Sequence, residues 1–431
     1  MSPARCRSAF WTLLLVCVSP ASGWAVTWHV DPQGNDTKGA GSAELPWRTI
    51  QKALNECAPG DAVLLHAGVY AQRVEWPGSG NPGKPITLMG EPGAVLSGKG
   101  MPAGEHVIAV YEHSHVRIMG LEIRDTVTRK GGCGIYVQGG ARGIEIRNCY
   151  LHHLRGKEAV AIGCFGTDPK VPLADVVIEG CRIEHCEPAQ SEALVLNGNV
   201  DGFRVADNVI RDVNNIGIDL IGGERDIMRD PAKVARNGIC VGNQVTRARS
   251  NYGEGYAAGI YVDGGRDIVI RGNTVTECDL GIEIGAENPG QQTRGITVED
   301  NVVFRNDKAG LVLGGYDRKR GRVTGCLFRR NQIWHNTGHK EAQAELWVQE
   351  SMDNRIEHNV IVASPGGQMV QVGLGGIRNT LTGNTFWSVS GGATKWTWGA
   401  RSGSGFEAWQ QAAAAQQSGS VWREVKLPAQ E

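Results

Sequence analysis

The sequence predicts an all-β fold: a right-handed parallel β-helix, a single solenoid with a helix near each end. Three observations carry this expectation. A short phrase recurs nine times between residues 148 and 384, at Asn148, Cys181, Asn208, Asn243, Asn273, Asn301, Asn331, Asn359 and Asn384, with spacings of 25 to 35 residues. A period in this range marks coils that are stable only when stacked on their neighbours. Between the phrases lie short strands with period-2 alternation of apolar residues. Glycine, at 60 of 431 residues, has roughly twice its usual share and gathers at strand ends, as a fold of many bends requires. Successive copies of one strand run the same way, so the sheets must be parallel. Asparagine suits the phrase because it tolerates the left-handed bend conformation, bonds to nearby backbone and can stack amide on amide.

The elements follow in order. Residues 1–25 read as a signal peptide: Arg5 and Arg7 form a charged start, Ala9 to Val18 an apolar core, and Pro20-Ala21-Ser22-Gly23 a break with small residues, which predicts an exported, secreted or periplasmic chain. Residues 26–105 are expected to form an N-terminal cap and the first coils. Within them, Trp47 to Leu54 have helical apolar spacing and stop before Pro59-Gly60-Asp61, and Ala62–Leu65 and Ile86–Met89 are short strands. Residues 106–400 are the solenoid repeats. Residues 401–431 are a C-terminal cap and tail, with Phe406 to Gln417 helical. Both caps hide an open sheet edge.

Bulk properties exclude several function classes. A net charge of -1 argues against nucleic acid and a basic membrane-binding surface. No apolar run after residue 25 approaches the roughly 18 residues of a membrane span. Nine cysteines follow the signal segment, from Cys57 to Cys326, without a C-x-x-C pair. They read mainly as small buried hydrophobes, with a disulfide or two open in an oxidising compartment.

Aligning the coils on the strand before each Gly-rich bend gives the inward pairs Ile135/Val137, Val160/Ile162, Leu194/Leu196, Ile218/Leu220, Ile260/Val262, Ile282/Ile284, Leu311/Leu313 and Leu346/Val348. The residues between them face outward as one column: Tyr136, Ala161, Val195, Asp219, Tyr261, Glu283, Val312 and Trp347. Two places on lies a second column that contains Asp263. Coils stack about 4.8 Å apart and two residues along a strand cover about 6.6 Å, so the Asp263 and Glu283 Cα atoms should lie roughly 8 Å apart, and Asp219 and Glu283 roughly 9.6 Å. Carboxyls approaching to approximately 5–5.5 Å suit a retaining glycosidase. Clustering raises one pKa by like-charge repulsion and so supplies a proton-bearing general acid. Asp219, Asp263 and Glu283 are therefore the candidate catalytic residues. Tyr136, Tyr261, Trp347, Glu287, Arg266 and Tyr316 are candidate sugar-binding residues. Glu224, Glu287 and Asp317 offer oxygens to a cation such as Ca²⁺ or simply face solvent; no zinc motif occurs and no cofactor is required. The long bends Gly222–Asn237, Arg249–Ala258 and Gly314–Arg322 are expected to wall a cleft.

The stretches Val30-Asp31-Pro32, Pro46-Trp47-Arg48-Thr49-Ile50-Gln51-Lys52-Ala53, Pro59-Gly60-Asp61 and Ala67-Gly68-Val69-Tyr70, followed by Asn-punctuated coils, resemble secreted β-helix proteins of the pectate-lyase-like superfamily. The resemblance implies the fold and a glycan partner; chemistry differs within such a superfamily. Gly259-Ile260-Tyr261-Val262-Asp263 and Asp279-Leu280-Gly281-Ile282-Glu283 resemble β-helix β-xylosidases, which implies Asp263 as nucleophile and Glu283 as acid/base. Three functions stand: a glycoside hydrolase, favoured; a polysaccharide lyase, which needs a Lys or Arg base and a cation; and a non-catalytic glycan-binding protein.

Overall fold

A computed structural model describes residues 25–128, 131–317, 319–339, 342–389, 391 and 394–427. The signal segment expected over residues 1–25 thus lies outside the described residues, apart from residue 25. The chain winds as a parallel β-helix whose coils stack into three sheets, one of eighteen strands and two of thirteen, the larger taking two short strands from several of the later coils. Inward side chains stack coil on coil as one continuous core of Ile, Val and Leu. Among the described residues, no helix is long and apolar enough to cross a membrane.

Both ends are covered. Helix α1 (Ile50–Glu56) buries Ile50, Ala53 and Leu54 against the first strands. Trp47, expected in the helix, instead bridges to Val30. At the far end the last strands, Lys395–Trp398 and Arg401–Ser404, pair antiparallel and turn the sheet edge back on itself. Helix α2 (Phe406–Ala412) then buries Trp409 among Phe386, Trp398 and Phe406. It is shorter than the expected Phe406–Gln417.

Asparagine stacks at the corner between the eighteen-stranded sheet and the next. In Asn208, Asn243, Asn273, Asn301, Asn331 and Asn359, both the backbone N–H and the side-chain amide donate to the Oδ1 of the next asparagine. Each amide also donates to a carbonyl one coil back, as Asn243 does to Val205 at 3.0 Å. Every buried polar atom of the amide is thereby satisfied.

Two expectations about this ladder are corrected. Asn148 is not a rung: it sits exposed at the corner, and the buried rung of its coil is Cys149, one place on, beside Cys181. Nor does the asparagine itself take the left-handed conformation. That falls to the residue before it, with φ of 54° at Asp207, 62° at Gly272, 54° at Arg330 and 56° at His358. The amide must point along the stack, so its predecessor turns the corner with its side chain in solvent. A second ladder, Asn306 to Asn336 to buried Glu345, runs along the next corner. All nine described cysteines are free thiols, and all but Cys57 are buried.

Candidate active site

One thirteen-stranded sheet carries the acids. Its register pairs Ile135, Ile162, Leu194, Ile218, Ile260, Ile282, Leu311 and Leu346 across successive coils. Seven of the eight inward pairs are as expected. The exception is the coil at Val160, where Ile162 and Cys164 point inward. The slip is two residues, one full strand period, which leaves the alternation unchanged and so cannot be detected from it. The outward residues of that coil are accordingly Gly163 and Phe165 rather than Ala161 and Gly163.

Asp219, Tyr261 and Glu283 stand side by side on three neighbouring strands, Ile218–Ile221, Ala258–Asp263 and Leu280–Gly285, with Asp263 two places on from Tyr261. This outward face is roofed rather than open to solvent: Asp219 is 2%, Asp263 6% and Glu283 4% exposed. The roof is the loop from Ser250 to Tyr256. It is fastened by buried Asp279, whose Oδ2 accepts from the Ser250 N–H at 2.9 Å, the Ser250 hydroxyl at 3.1 Å and the Ala257 N–H at 2.9 Å.

Between roof and sheet lies a cleft of about 390 Å³, walled by Asp219, Asp263, Glu192, Glu224, Glu287, Tyr252, Tyr256, Tyr261 and Tyr316 among others. Every ionisable residue described in its wall is a carboxylic acid or a tyrosine. Of the expected sugar-binding residues, Tyr261, Glu287 and Tyr316 come together here. Tyr136 does not: it lies three strands before Asp219, against His106 and Phe165. Trp347 lies two strands beyond Glu283 and packs beside Val312. Arg266 is on the neighbouring sheet, ion-paired with Asp267 at 3.5 Å. Asp317 closes its own turn through the Lys319 and Arg320 amides. Among the described residues, no group of three or more His, Cys, Asp or Glu could hold a metal ion.

The three acids are not equivalent. The Asp263 carboxylate accepts the Glu287 N–H at 2.7 Å. Burial first, then the charge of Glu287, hold its pKa well above the ordinary carboxylate range, with that amide pulling the other way. Asp219 keeps Oδ1 buried without a hydrogen-bond partner; burial first, then Glu192 and Asp263, hold its pKa well above the ordinary carboxylate range. Glu283 is raised by burial, then by Glu287 and Asp263. Tyr261 decides which acids can work together. Its hydroxyl donates to Glu287 at 3.1 Å, and its ring crosses to Gly285, where a Cβ would lie 2.7 Å from that hydroxyl. The ring therefore runs on the diagonal from Tyr261 to Gly285, across the line between Asp263 and Glu283. The opposite diagonal, from Asp219 to Asp263, is open, and both its acids line the cleft whereas Glu283 does not.

Tyr252 and Tyr256, which the sequence offers with Tyr316 as bend tyrosines able to stack on sugar rings, line the cleft, and Glu192, which the alignment did not find, joins them from another bend. Glu192 accepts from the Ser191 hydroxyl at 2.9 Å and is pushed up to about 7 by burial and by Glu224.

The family described as "Right handed beta helix region" matches residues 106–320. The uncharacterized protein YwoF of Bacillus subtilis (strain 168) is 34% identical over 353 residues, which are 78% of this chain and 74% of that one. This chain belongs to the right-handed β-helix family. Two crystal structures of the GH136 lacto-N-biosidase from Eubacterium ramulus resemble this β-helix protein. One has a TM-score of 0.58 at 15% identity, covering 82% of this chain and 67% of that one. The other has a TM-score of 0.56 at 16%, covering 78% and 64%. At such identities the likeness is one of fold.

Proposed function

We propose that this β-helix protein is an exported glycoside hydrolase with Asp263 as nucleophile and Asp219 as general acid. The observation that carries the reading is the open Asp219–Asp263 diagonal at the floor of a roofed cleft. One coil and two residues separate these acids, roughly 8 Å between Cα atoms, which lets the carboxyls approach the approximately 5–5.5 Å of retaining enzymes. Asp263 has an amide to hold its charge; Asp219, without a donor and beside Glu192, holds the proton. In the first step a lone pair of Asp263 attacks the anomeric carbon while Asp219 protonates the departing glycosidic oxygen. In the second, Asp219, now anionic, takes a proton from water as that water displaces Asp263. Tyr261, two places before Asp263, and Glu283 on the next strand support the pair.

The charged N-terminal start and apolar run support export, and the tyrosine-lined cleft suits an oligosaccharide or polysaccharide. A lyase acting on uronates needs a cationic base, and the described wall of this cleft supplies only acids and tyrosines.

Incubation with a panel of glycans and aryl glycosides tests the reading. New reducing ends without the ultraviolet absorbance of unsaturated uronates are expected; absorbance would replace hydrolase by lyase. Asp263→Asn and Asp219→Asn should each lower kcat by about 10²–10⁴-fold. A Glu283→Gln enzyme that is equally dead, beside an active Asp219→Asn enzyme, would move the proton donor to Glu283.

A further inference from the structure

The acids of this molecule fall into two populations. On the outer faces many carry arginine partners. Glu184, 1% exposed, holds Arg182 at 2.7 Å and Arg211 at 2.6 Å. Glu299 holds Arg329 at 2.7 Å and Arg330 at 3.0 Å. In the cleft the pattern stops: among the described residues, Glu192, Asp219, Glu224, Asp263 and Glu287 form no ion pair. A cluster of this size without counter-charge is costly to keep closed to water.

Two further observations point to what completes it. Asp219 Oδ1 and Asn197 Oδ1 are buried acceptors with no donor, in side chains 2% and 3% exposed. Asn197 spends its Nδ2 on Glu224, at 2.7 Å, which fixes that carboxylate at the cleft wall. The chain also places an ammonium of its own at the rim: Lys308 Nζ lies 3.8 Å from the Tyr256 ring centroid and donates to the Glu254 carbonyl. The local potential therefore favours cations, and a tyrosine face adds to it.

We infer that the cleft binds a sugar carrying a free, protonated amine, a de-N-acetylated hexosamine unit, with its ammonium between Glu192, Glu224 and Asp219. An ammonium brings three donors and no acceptor, the complement of carboxylates and an orphaned oxygen. An N-acetyl group removes that charge, and a uronate reverses it. The inference rests on the glycoside-hydrolase reading for the sugar and on the cleft alone for the amine. Because burial and Glu224 hold a proton on Glu192, an arriving ammonium displaces it, so binding releases protons.

Calorimetric titration of the full chain separates the two readings. The probes are methyl glycosides of glucosamine and galactosamine, their N-acetyl forms and the parent hexoses, under mildly acidic conditions. An aryl-glycoside hydrolysis assay runs alongside. One amine-bearing sugar is expected to bind at least about tenfold tighter than its N-acetyl form, with proton release seen as a buffer-dependent heat. Glu224→Gln should shrink that preference to within about threefold. If that variant fails to fold, raised salt applied to the native chain should weaken the amine form and spare the N-acetyl form. Equal or tighter binding of the N-acetyl forms, or binding by none of the sugars, overturns the inference even if hydrolysis is observed. Amine-selective binding without hydrolysis of any glycoside keeps the inference and removes the hydrolase.

Discussion

Asp219 and Asp263 have the same side chain on adjacent strands and burial raises both, but a backbone amide offsets part of that rise at Asp263 alone. The Glu287 N–H gives Asp263 an anchor for negative charge. Asp219 has no such donor on its buried Oδ1, and burial and the neighbouring charge of Glu192 act on it unopposed. A general acid acts while protonated, so hydrolysis should fall as pH rises through the Asp219 pKa. Glu192→Gln removes the largest like charge acting on Asp219, lowers that pKa, and should shift the alkaline limb of the kcat/KM profile to lower pH. An unmoved limb would show that another group donates the proton. The acids themselves were legible because strand period 2 fixes which residues face outward. The direction in which the Tyr261 ring falls across its neighbours, on which the proposed Asp219–Asp263 pairing rests, was not, because it is a packing outcome that no alternation pattern encodes. Glu192 was missed for a related reason: it stands on a bend, whose path is set by tertiary contacts, whereas Tyr252 and Tyr256 were legible from their place in a long bend.

At the scale of the corner, the ladder converts a sequence period into a hydrogen-bond wire. Asn273→Ala would leave the Asn243 N–H and its side-chain amide without their shared acceptor. At about 1–3 kcal/mol for each of these two unsatisfied buried groups, the loss should be roughly 2–6 kcal/mol, read from the denaturant midpoint of the central coils. Asn148→Gly, at an exposed position with φ of 52°, should stay within about 0.5 kcal/mol. Equal losses at both sites would contradict the register described for the ladder. The pairing of Asn148 with Cys149 shows the limit of the sequence signal: the corner needs a left-handed residue followed by a buried one, and asparagine serves in either place. The second ladder, Asn306 to Asn336, left a trace as well. Each stands five residues after a rung of the first, at Asn301 and Asn331.

For the whole molecule, stability is a sum over coils and the interfaces between them, and the ends are its weak points. Trp409 seals the last coil. Replacing it with alanine should cost about 3–5 kcal/mol, concentrated locally. Hydrogen exchange is expected to rise in the coils after residue 360 while strands 218–221 and 258–263 stay protected. Uniform loosening along the chain would instead mean that the solenoid unfolds as one unit. The bends that wall the cleft have very different lengths: 222–235, 264–265, 286–291 and 314–321. Coils joined by two residues and by fourteen are neighbours, yet the asparagines at another corner advance by one rung each time. Length at the bends is thus decoupled from stacking, and extra loop residues add only a slowly growing closure entropy. The protein behaves as a chassis with interchangeable walls, one on which new specificities can be grafted by exchanging whole bends over an unchanged floor.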